Sequence, residues 1–386
     1  MKRALPLAIL LLSGCAANVG GTTAASAPAA PQSAQDALRP YYATLTTKLP
    51  KAPVNPALSS NSVITRFAFG SCVNENRDMK FWDVIAAQKP QAFLLIGDNV
   101  YGDTRPTNGA DIPTLTASYR KLSSRVEFDR FRRSVPMMTT WDDHDYGAND
   151  AGGAFAYKEW AEKIYETYWS SSDEVKARPG VYESRIVGPE GKRVQFIILD
   201  SRFFRSDLAV MPYRDPGPAL GWYIPNMDPK ASILGNAQWD WLTQELSKPA
   251  ELRFIISSTQ VITDAHNFEG WTNFPKERDR LYALLADKKV SNAIFLTGDR
   301  HSGAFYKTQL PGLSKPLWDF TSSSLNFAFG KGDGGEREPD PRRTGGLWGI
   351  PNFGQIDIDW SAKTVKMTLR KEDGSVIEEQ VVQAID

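Results

Sequence analysis

The chain has 386 residues, of which 41% are hydrophobic, so it can bury a sizeable core as one large domain or two smaller ones. Its 45 basic and 45 acidic residues give a formal net charge of zero. This balance excludes the clustered positive field that binding to a phosphate backbone requires, so we expect no nucleic-acid-specific binding.

Residues 1–15 have the pattern of an export signal. Lys2 and Arg3 precede an apolar stretch at 4–12 that is too short to span a bilayer, and Leu12-Ser13-Gly14-Cys15 follows at once. This arrangement resembles a bacterial lipoprotein signal, with an ordinary secretory peptide as the alternative. We therefore expect an exported protein that an acylated Cys15 anchors to a membrane, facing the periplasm or the cell exterior.

Residues 16–56 are rich in Ala, Ser, Thr and Pro with almost no apolar pattern, which predicts a flexible tether ahead of a folded body at 57–386. If Cys15 is acylated, Cys72 has no intramolecular partner. One interpretation of Cys72 is a small apolar residue of the core. Its position at a strand end, before polar residues, favours a metal ligand, which would also protect the thiolate from oxidation.

Short apolar segments alternate with amphipathic ones through the body, which indicates an α/β layered fold. Strands are predicted at 63–71, 92–97, 137–141, 194–199, 252–258, 293–297 and 317–322. Helices are predicted at 79–88, 115–131, 156–169, 237–246 with Asn236 as N-cap, and 275–288. Alternating residues over 354–382 predict C-terminal antiparallel hairpins that close a sheet. We assign two long loops, 201–234 and 327–349, to substrate access.

Several predicted strands end at metal-ligand residues, where α/β enzymes hold their ligands. These residues are Cys72; Asp98, Tyr101 and Asp103; Asp142, Asp143, His144 and Asp145; and Asp299 and His301. Each cluster alone could be an ordinary turn or a surface ion pair, but their joint occurrence predicts a site. Thiolate and phenolate are donors that stabilise a trivalent ion, which favours iron.

Hydrolysis of a phosphate ester requires charge neutralisation, hydroxide near neutral pH and a stabilised leaving group, which two cations about 3.5–4 Å apart can supply. Asp98 could bridge two such cations. The remaining ligands would be Cys72, Tyr101 and His301 on one cation, and Asp143 and Asp299 on the other. His144 is then free to protonate the departing oxygen or to hold phosphate.

The ordered motifs FGSC, GDNVYGD, TWDDHDYGAND, LDSRFF, QWDWLTQEL, SSTQ, ERDRLYALL and LTGDRH resemble the PhoD-like branch of the metallophosphoesterases. The resemblance covers about residues 67–326 and implies a sandwich of two mixed β-sheets flanked by helices. It implies an iron bound by Cys72, Asp98 and Tyr101, further metal ligands at Asp143, Asp299 and His301, and a catalytic histidine at His144. Members of this family are known for ferric iron with calcium and for phosphomonoesters or phosphodiesters outside the cytoplasm.

The chain departs from the better-described relatives at Asn99 and Arg300. Arg300 lies between two predicted ligands and could reach phosphate with a bidentate fork, so we assign it to both catalysis and substrate binding. We also place Asn99, Arg202 and His266 on the substrate side. Arg202 could instead pair with Asp200, and His266 could be loop filler.

The sequence thus predicts an enzyme that hydrolyses phosphate esters with hydroxide activated by two metals, Fe³⁺ plus Ca²⁺, with Mn²⁺, Mg²⁺ or Zn²⁺ open for the second. The substrate would be a small molecule, a lipid or a polymer. The alternative is a surface lipoprotein that binds metals without catalysis, although His144 has little use in a purely structural centre. Motifs Gly-x-Ser-x-Gly and Gly-x-x-x-x-Gly-Lys are absent, which argues against a serine hydrolase and an ATP-using enzyme.

Overall fold

The computed structural model describes residues 33–213, 220–330 and 338–385. The predicted export signal and the first part of the predicted tether lie outside these residues. In the described part of the chain, none of the helices combines the length and the apolar character that crossing a bilayer requires.

Strands and helices alternate through most of the chain. The strands are β1 (Arg66–Gly70), β2 (Phe93–Ile96), β3 (Met137–Thr140), β4 (Glu183–Val187), β5 (Val194–Ile198), β6 (Ala209–Val210), β7 (Tyr223–Ile224), β8 (Leu252–Ser257), β9 (Ala293–Thr297), β10 (Gly303–Thr308), β11 (Leu317–Ser322), β12 (Arg343–Trp348), β13 (Asn352–Asp359), β14 (Thr364–Lys371) and β15 (Val376–Val382). The α-helices are α1 (Ala34–Thr44), α2 (Phe81–Ala87), α3 (Pro113–Ser123), α4 (Val126–Ser134), α5 (Asp143–Tyr146), α6 (Lys158–Trp169), α7 (Asp173–Lys176), α8 (Gly235–Glu245) and α9 (Pro275–Asp287). A short 3₁₀-helix spans Trp271–Asn273.

Two large mixed sheets pack face to face. The first has the strand order β15-β14-β13-β1-β2-β3 and the second β12-β10-β11-β9-β8-β5-β4. Phe67 of β1 packs edge-on against Phe196 and Phe254 of the second sheet, with ring centroids 5.2 and 4.8 Å apart. Such tilted aromatic pairs are favourable beyond the area they bury. The expected sandwich is confirmed, and β13, β14 and β15 form the expected C-terminal antiparallel hairpins.

Helices cover the outer faces of both sheets. Side chains of α2, α3, α4 and α6 form one apolar cluster with the first sheet, and side chains of α8 and α9 form another with the second. Strands β2, β5, β8 and β9 are buried along their whole length. Burial on both faces explains why their sequences lack apolar–polar alternation.

Some predicted elements differ from the observed ones. The helix predicted over 115–131 is two helices, because the chain turns at Ser124 and Arg125 between α3 and α4. Helix α8 begins at Gly235 with Leu234 as its N-cap, so the cap assigned to Asn236 is wrong. Strand β12 lies inside the predicted loop 327–349, where a glycine-rich sequence hides it.

The predicted boundary of the tether at residue 56 is also wrong, because residues 34–56 pack on the body. We call this segment the strap. In α1 the ring of Tyr42 stacks on Trp160 with a centroid distance of 5.2 Å, and Arg39 pairs with Glu159 through contacts of 2.9 and 2.6 Å. One aromatic residue and one charged residue therefore fix a helix whose composition resembles that of a linker.

The rest of the strap is held by hydrogen bonds and by apolar contacts of Leu45, Leu49 and Ala52 with the apolar cluster of the first sheet. The Ala52 N–H donates to the Tyr168 carbonyl at 2.9 Å, and the Pro53 carbonyl accepts from Arg132 Nε at 2.8 Å. Asn55 Nδ2 donates to the Met137 carbonyl at 3.0 Å. Main-chain bonds of this kind leave no apolar pattern in the sequence.

Candidate metal centre and active site

Four predicted ligands come just after strands, and their own backbone adopts the left-handed conformation. Their φ values are 61° for Cys72, 49° for Asp98, 66° for Asp299 and 51° for His301. Residues with a Cβ rarely adopt this conformation. The resulting sharp turns come directly after β1, β2 and β9. They bring side chains from both sheets together at one edge of the sandwich, where a bridge joins Ser71 to Ser323.

The ligands predicted for the first metal converge. Cys72 Sγ lies 3.4 Å from Asp98 Oδ2, and the Tyr101 hydroxyl lies 3.1 Å from the same oxygen. That hydroxyl is also 3.5 Å from His301 Nε2. Donor atoms of Cys72, Asp98 and His301 all lie within 4.8 Å of one another. Sulfur, phenol, imidazole and carboxylate donors thus face one small space.

The ligands predicted for the second metal form an adjoining group. Asp98, Asp143 and His144 have donor atoms within 4.8 Å of one another, and so do Asp142, Asp143 and Asp299. Asp98 belongs to the first and the second group, so it is placed to bridge two cations. This second group is dominated by carboxylate oxygens, the ligands that hard divalent cations prefer.

Asp142 belongs to a predicted cluster of metal-ligand residues but was assigned to neither cation, and its position fits a ligand. Its Oδ1 accepts hydrogen bonds from Arg202 and from Ser258 Oγ, the latter at 2.6 Å. Its Oδ2 is buried without a hydrogen-bond partner. A buried carboxylate oxygen without a partner is costly unless a cation satisfies it.

A further group, also not predicted, contains Asp143, Asp150 and Glu269. Asp150 closes the motif TWDDHDYGAND, so the sequence did contain a signal for it. Glu269 stands alone between Phe268 and Gly270, and no local pattern marks it.

The electrostatics of the cluster favour bound cations. Burial, followed by neighbouring carboxylates, raises the pKa of Asp299 well above its usual range, and burial is also the main cause of the raised pKa of Asp98. Burial and the charge of Asp98 likewise raise the pKa of the Cys72 thiol. Cations would reverse these shifts, because they stabilise carboxylates and thiolates. The donor set and the partnerless oxygen therefore fit a metal centre.

His144 is oriented by Asp103. The Nδ1 atom lies 2.9 and 2.8 Å from the two oxygens of this carboxylate, and the ring lies 4.4 Å from that of Tyr101. Asp103 is therefore the partner of His144 and is absent from the metal-ligand groups among the described residues. Burial disfavours the imidazolium, but the charges of Asp143 and Asp98 and the bond to Asp103 raise the pKa of His144 to about 11. Nε2 is left as the ring nitrogen available to a substrate.

A main-chain carbonyl orients His301. Its Nδ1 bonds to the Phe327 carbonyl, and its backbone N–H donates to Ser323 Oγ at 2.8 Å. Burial is the main cause that lowers the pKa of His301, to about 4. The neutral ring therefore presents Nε2 to the cluster, as outer-shell hydrogen bonds to ligating histidines commonly require. The Phe327 carbonyl could not be predicted from the sequence, because every residue has a main-chain carbonyl and no residue type marks the one that bonds to His301.

The substrate-binding role predicted for Arg202 is contradicted. Its side chain is fully buried, and its guanidinium pairs with Asp142 and, at 2.5 Å, with Glu269. The predicted pairing with Asp200 involves only the backbone N–H of Arg202, at 2.8 Å from Asp200 Oδ1. Arg202 therefore lies behind the carboxylates and supports Asp142.

Asn99 is likewise buried, so it does not face an incoming substrate. Its Nδ2 donates to the Thr140 carbonyl at 2.9 Å and to Asp145, while its Oδ1 has no hydrogen-bond partner. The side chain therefore ties the end of β2 to the end of β3 and to α5.

Arg300 and His266 lie next to each other at the rim of the cluster. The Arg300 guanidinium rests over the ring of Phe268 at 4.6 Å and pairs with Glu338. His266 is buried, with Nε2 2.9 Å from Gln260 Oε1, and burial followed by the charge of Arg300 lowers its pKa well below the usual value. Arg300 is thus close to the site but engaged by a carboxylate, and His266 supports the wall behind it.

A family model described as PhoD-like phosphatase matches residues 67–369, which include every ligand of the cluster. The chain belongs to the PhoD-like phosphatase family. Alkaline phosphatase D of Bacillus subtilis (strain 168) is 25% identical over 321 residues, covering 69% of this chain and 52% of that protein. This PhoD-like chain therefore spans about half the length of that relative.

A solved structure titled "Structure of PhoD" superimposes with a TM-score of 0.66, over 86% of this chain and 72% of the other. The two sequences are 16% identical, so the likeness concerns the fold. The two mixed sheets and flanking helices of this PhoD-like protein are therefore those of the family.

Proposed function

We propose that this protein hydrolyses phosphate esters, monoesters or diesters, in a metal-dependent reaction outside the cytoplasm. The convergence of two ligand groups on Asp98, with His144 beside them, carries this proposal. A purely structural metal site has no need of a histidine that a carboxylate holds with Nε2 available. Membership of a phosphatase family supports the same reaction.

We infer that Cys72, Asp98, Tyr101 and His301 hold Fe³⁺, because sulfur and phenolate donors favour a trivalent ion. Asp98, Asp142, Asp143 and Asp299 then hold Ca²⁺, with Mn²⁺, Mg²⁺ or Zn²⁺ as alternatives. When bound, two such cations neutralise phosphate charge and lower the pKa of water. The protein supplies the fixed ligand positions and excludes water from the buried side of the cluster.

The chain's own residues complete the reaction. His144 Nε2 donates a proton to the departing ester oxygen, while Asp103 keeps the ring in the orientation and charge state this step requires. Arg300 binds a phosphate oxygen once Glu338 releases it, because guanidinium forks match phosphate geometry. Each of these roles follows from a contact at the rim of the cluster.

Export and anchoring through Cys15 remain part of the proposal. Residues 1–32 lie outside the described residues, so the sequence pattern alone supports them. An anchored body would act on phosphate esters of small molecules, lipids or polymers close to a membrane.

Metal analysis of the purified protein, paired with turnover of an aryl phosphomonoester and its bis-aryl diester, tests the proposed function. We expect two or more metal equivalents and turnover that chelation abolishes. The matched variant is His144→Ala, which should keep the metals and lose turnover by about 10²–10⁴-fold. Metal retention with no hydrolysis by the wild-type protein would instead favour the non-catalytic lipoprotein.

A further inference from the structure

Two phenylalanines stand at the open side of the metal cluster. Phe329 is 71% exposed, although its ring lies tilted by 31° over that of the proposed metal ligand His301, with centroids 3.9 Å apart. Phe327 lies 5.0 Å from Phe329 and 4.7 Å from Tyr101, in both cases edge to face. We call Phe327 and Phe329 the aromatic ledge. The exposed ring of Phe329 beside His301 thus offers a flat apolar face to a substrate group.

The backbone that leads into the ledge is held in place by specific contacts. Asn326 pairs with Asn74, with Oδ1 accepting from the Asn74 N–H at 2.7 Å and Nδ2 donating to the Asn74 carbonyl at 3.0 Å. The Arg77 guanidinium covers one face of Phe327 at 4.1 Å. The Phe327 carbonyl bonds to His301 Nδ1, which ties the ledge directly to a ligand of the cluster.

Exposure differs among the described residues of the cluster. Cys72, Ser323 and Arg202 are completely buried, whereas Asp299 and Arg300 are partly exposed. Tyr101 and His144 keep partial exposure next to the ledge. A phosphate bound beside Tyr101, His144 and His301 would have its ester group near the exposed ring of Phe329.

On these grounds we propose that the aromatic ledge is the subsite for the alcohol part of the substrate, and that this part carries a planar aromatic ring close to the phosphorus. The inference rests on the proposed function. The ring of such an alcohol stacks on the free face of Phe329, as aromatic groups do on exposed protein rings. An alkyl alcohol lacks the π-face that this contact uses.

The test compares phenyl phosphate with methyl phosphate as substrates of the metal-loaded protein. In Phe329→Ala we expect the ratio of kcat/KM for phenyl over methyl phosphate to fall about tenfold, within the range that ring stacking supports. Phe329→Tyr keeps a ring and should restore the ratio. Val126→Ala, which trims an exposed apolar side chain of helix α4, is the matched control and should leave the ratio unaltered.

Calorimetric titration of the same proteins with phenylphosphonate and methylphosphonate gives a second readout that needs no turnover. We expect the Kd of phenylphosphonate to rise about tenfold in Phe329→Ala while its preference over methylphosphonate disappears. Equal losses for both ligands, or no loss for either, would overturn the subsite. If the wild-type protein turns over neither these monoesters nor the bis-aryl diester, the proposed hydrolysis fails, and the titration still decides whether the ledge binds rings.

Discussion

The Asp103 carboxylate is the hydrogen-bond partner of the His144 imidazole, with 2.8 Å between Nδ1 and Oδ2. Asp103 comes from the loop after β2 and His144 from helix α5 after β3, so the pair joins the ends of neighbouring parallel strands. The carboxylate fixes which ring nitrogen is available to the substrate. This geometry supports the proposed role of His144 as a general acid.

Replacing Asp103 tests the orientation of His144. We expect Asp103→Asn to lower kcat about 10- to 100-fold with little change in KM, because His144 loses its carboxylate partner but stays at the same position in the site. Loss of the carboxylate also lowers the pKa of His144, so the alkaline limb of the kcat profile should move to lower pH. The control is Asp129→Asn on helix α4, which removes only a surface ion pair with Arg133. An unchanged rate and pH profile would remove Asp103 from the mechanism.

Tyr101 is expected to colour the protein. A phenolate bound to ferric iron absorbs visible light, and the Tyr101 hydroxyl lies 3.1 Å from Asp98 Oδ2 in the first ligand group. Tyr101→Phe should remove the phenolate-to-iron band and leave only the absorption of the Cys72 thiolate, while iron content falls by less than half, since Cys72, Asp98 and His301 remain. Absorption spectra with metal analysis measure both, and the exposed Tyr41→Phe serves as control. A colourless, iron-replete wild-type protein would contradict the assignment.

Arg202 is predicted to matter for stability. Its buried guanidinium pairs with Asp142 and Glu269, so Arg202→Met leaves buried Asp142 without its guanidinium partner and Glu269 with Arg205 alone. We expect a loss of about 3–5 kcal/mol in the free energy of unfolding, measured by chemical denaturation. Adding Glu269→Gln should recover part of this loss. A variant that stays stable but binds phosphate more weakly would return Arg202 to the substrate side.

Glu162 is expected to make the stability of the folded protein depend on pH. Burial raises the pKa of this carboxyl from about 4.5 to about 8, and its Oε1 accepts from the Gly180 N–H at 2.5 Å. Between these pH values the unfolded chain releases a proton that the folded chain keeps, so stability falls as the pH rises. Glu162→Gln keeps the acceptor and should be about 1–2 kcal/mol more stable than wild type at pH 8, with little difference at pH 4.5.

Thermal or denaturant unfolding across this pH range measures the effect of Glu162→Gln. The control is Glu174→Gln, whose side chain is 77% exposed, and it should follow the wild-type profile. Parallel profiles for Glu162→Gln and wild type would show that Glu162 ionises normally in the folded state.

The strap should come loose when its aromatic anchor is removed. Tyr42→Ala deletes the ring that stacks on Trp160, so the strap should open more often and free the backbone at Lys48 and Lys51, whose side chains are already exposed, for cleavage by trypsin. We expect cleavage at these lysines to become at least tenfold faster. The exposed neighbour Tyr41→Ala provides the comparison. Equal cleavage rates in both variants would mean that the backbone bonds of the strap suffice to hold it.

Local patterns predicted much of this molecule. Asp98, Asp143 and Asp299 could be recognised from a few neighbouring residues, because each comes soon after an apolar run that forms a strand. Such short sequence segments could not show that β13, which lies near the end of the chain, pairs with β1 in antiparallel register. Pairing of distant strands depends on contacts that no local window contains.

The failures within the site have a common physical cause. Arg202, Asn99 and His266 were placed on the substrate side by residue type, but burial decides which face a side chain presents. Glu269 and the Phe327 carbonyl were missed because an isolated acid and a main-chain atom have no sequence signature. Tertiary structure alone brings them to Arg202 and His301.

The positive φ angles at Cys72, Asp98, Asp299 and His301 imply a trade-off between durability and activity. Each such residue holds the backbone in a conformation that costs about 1 kcal/mol or more unless glycine occupies it. Glycine at any of these four places would relax the chain and at the same time delete a donor atom. We therefore expect these glycine substitutions to relieve backbone strain in the metal-free fold and to abolish the proposed metal binding.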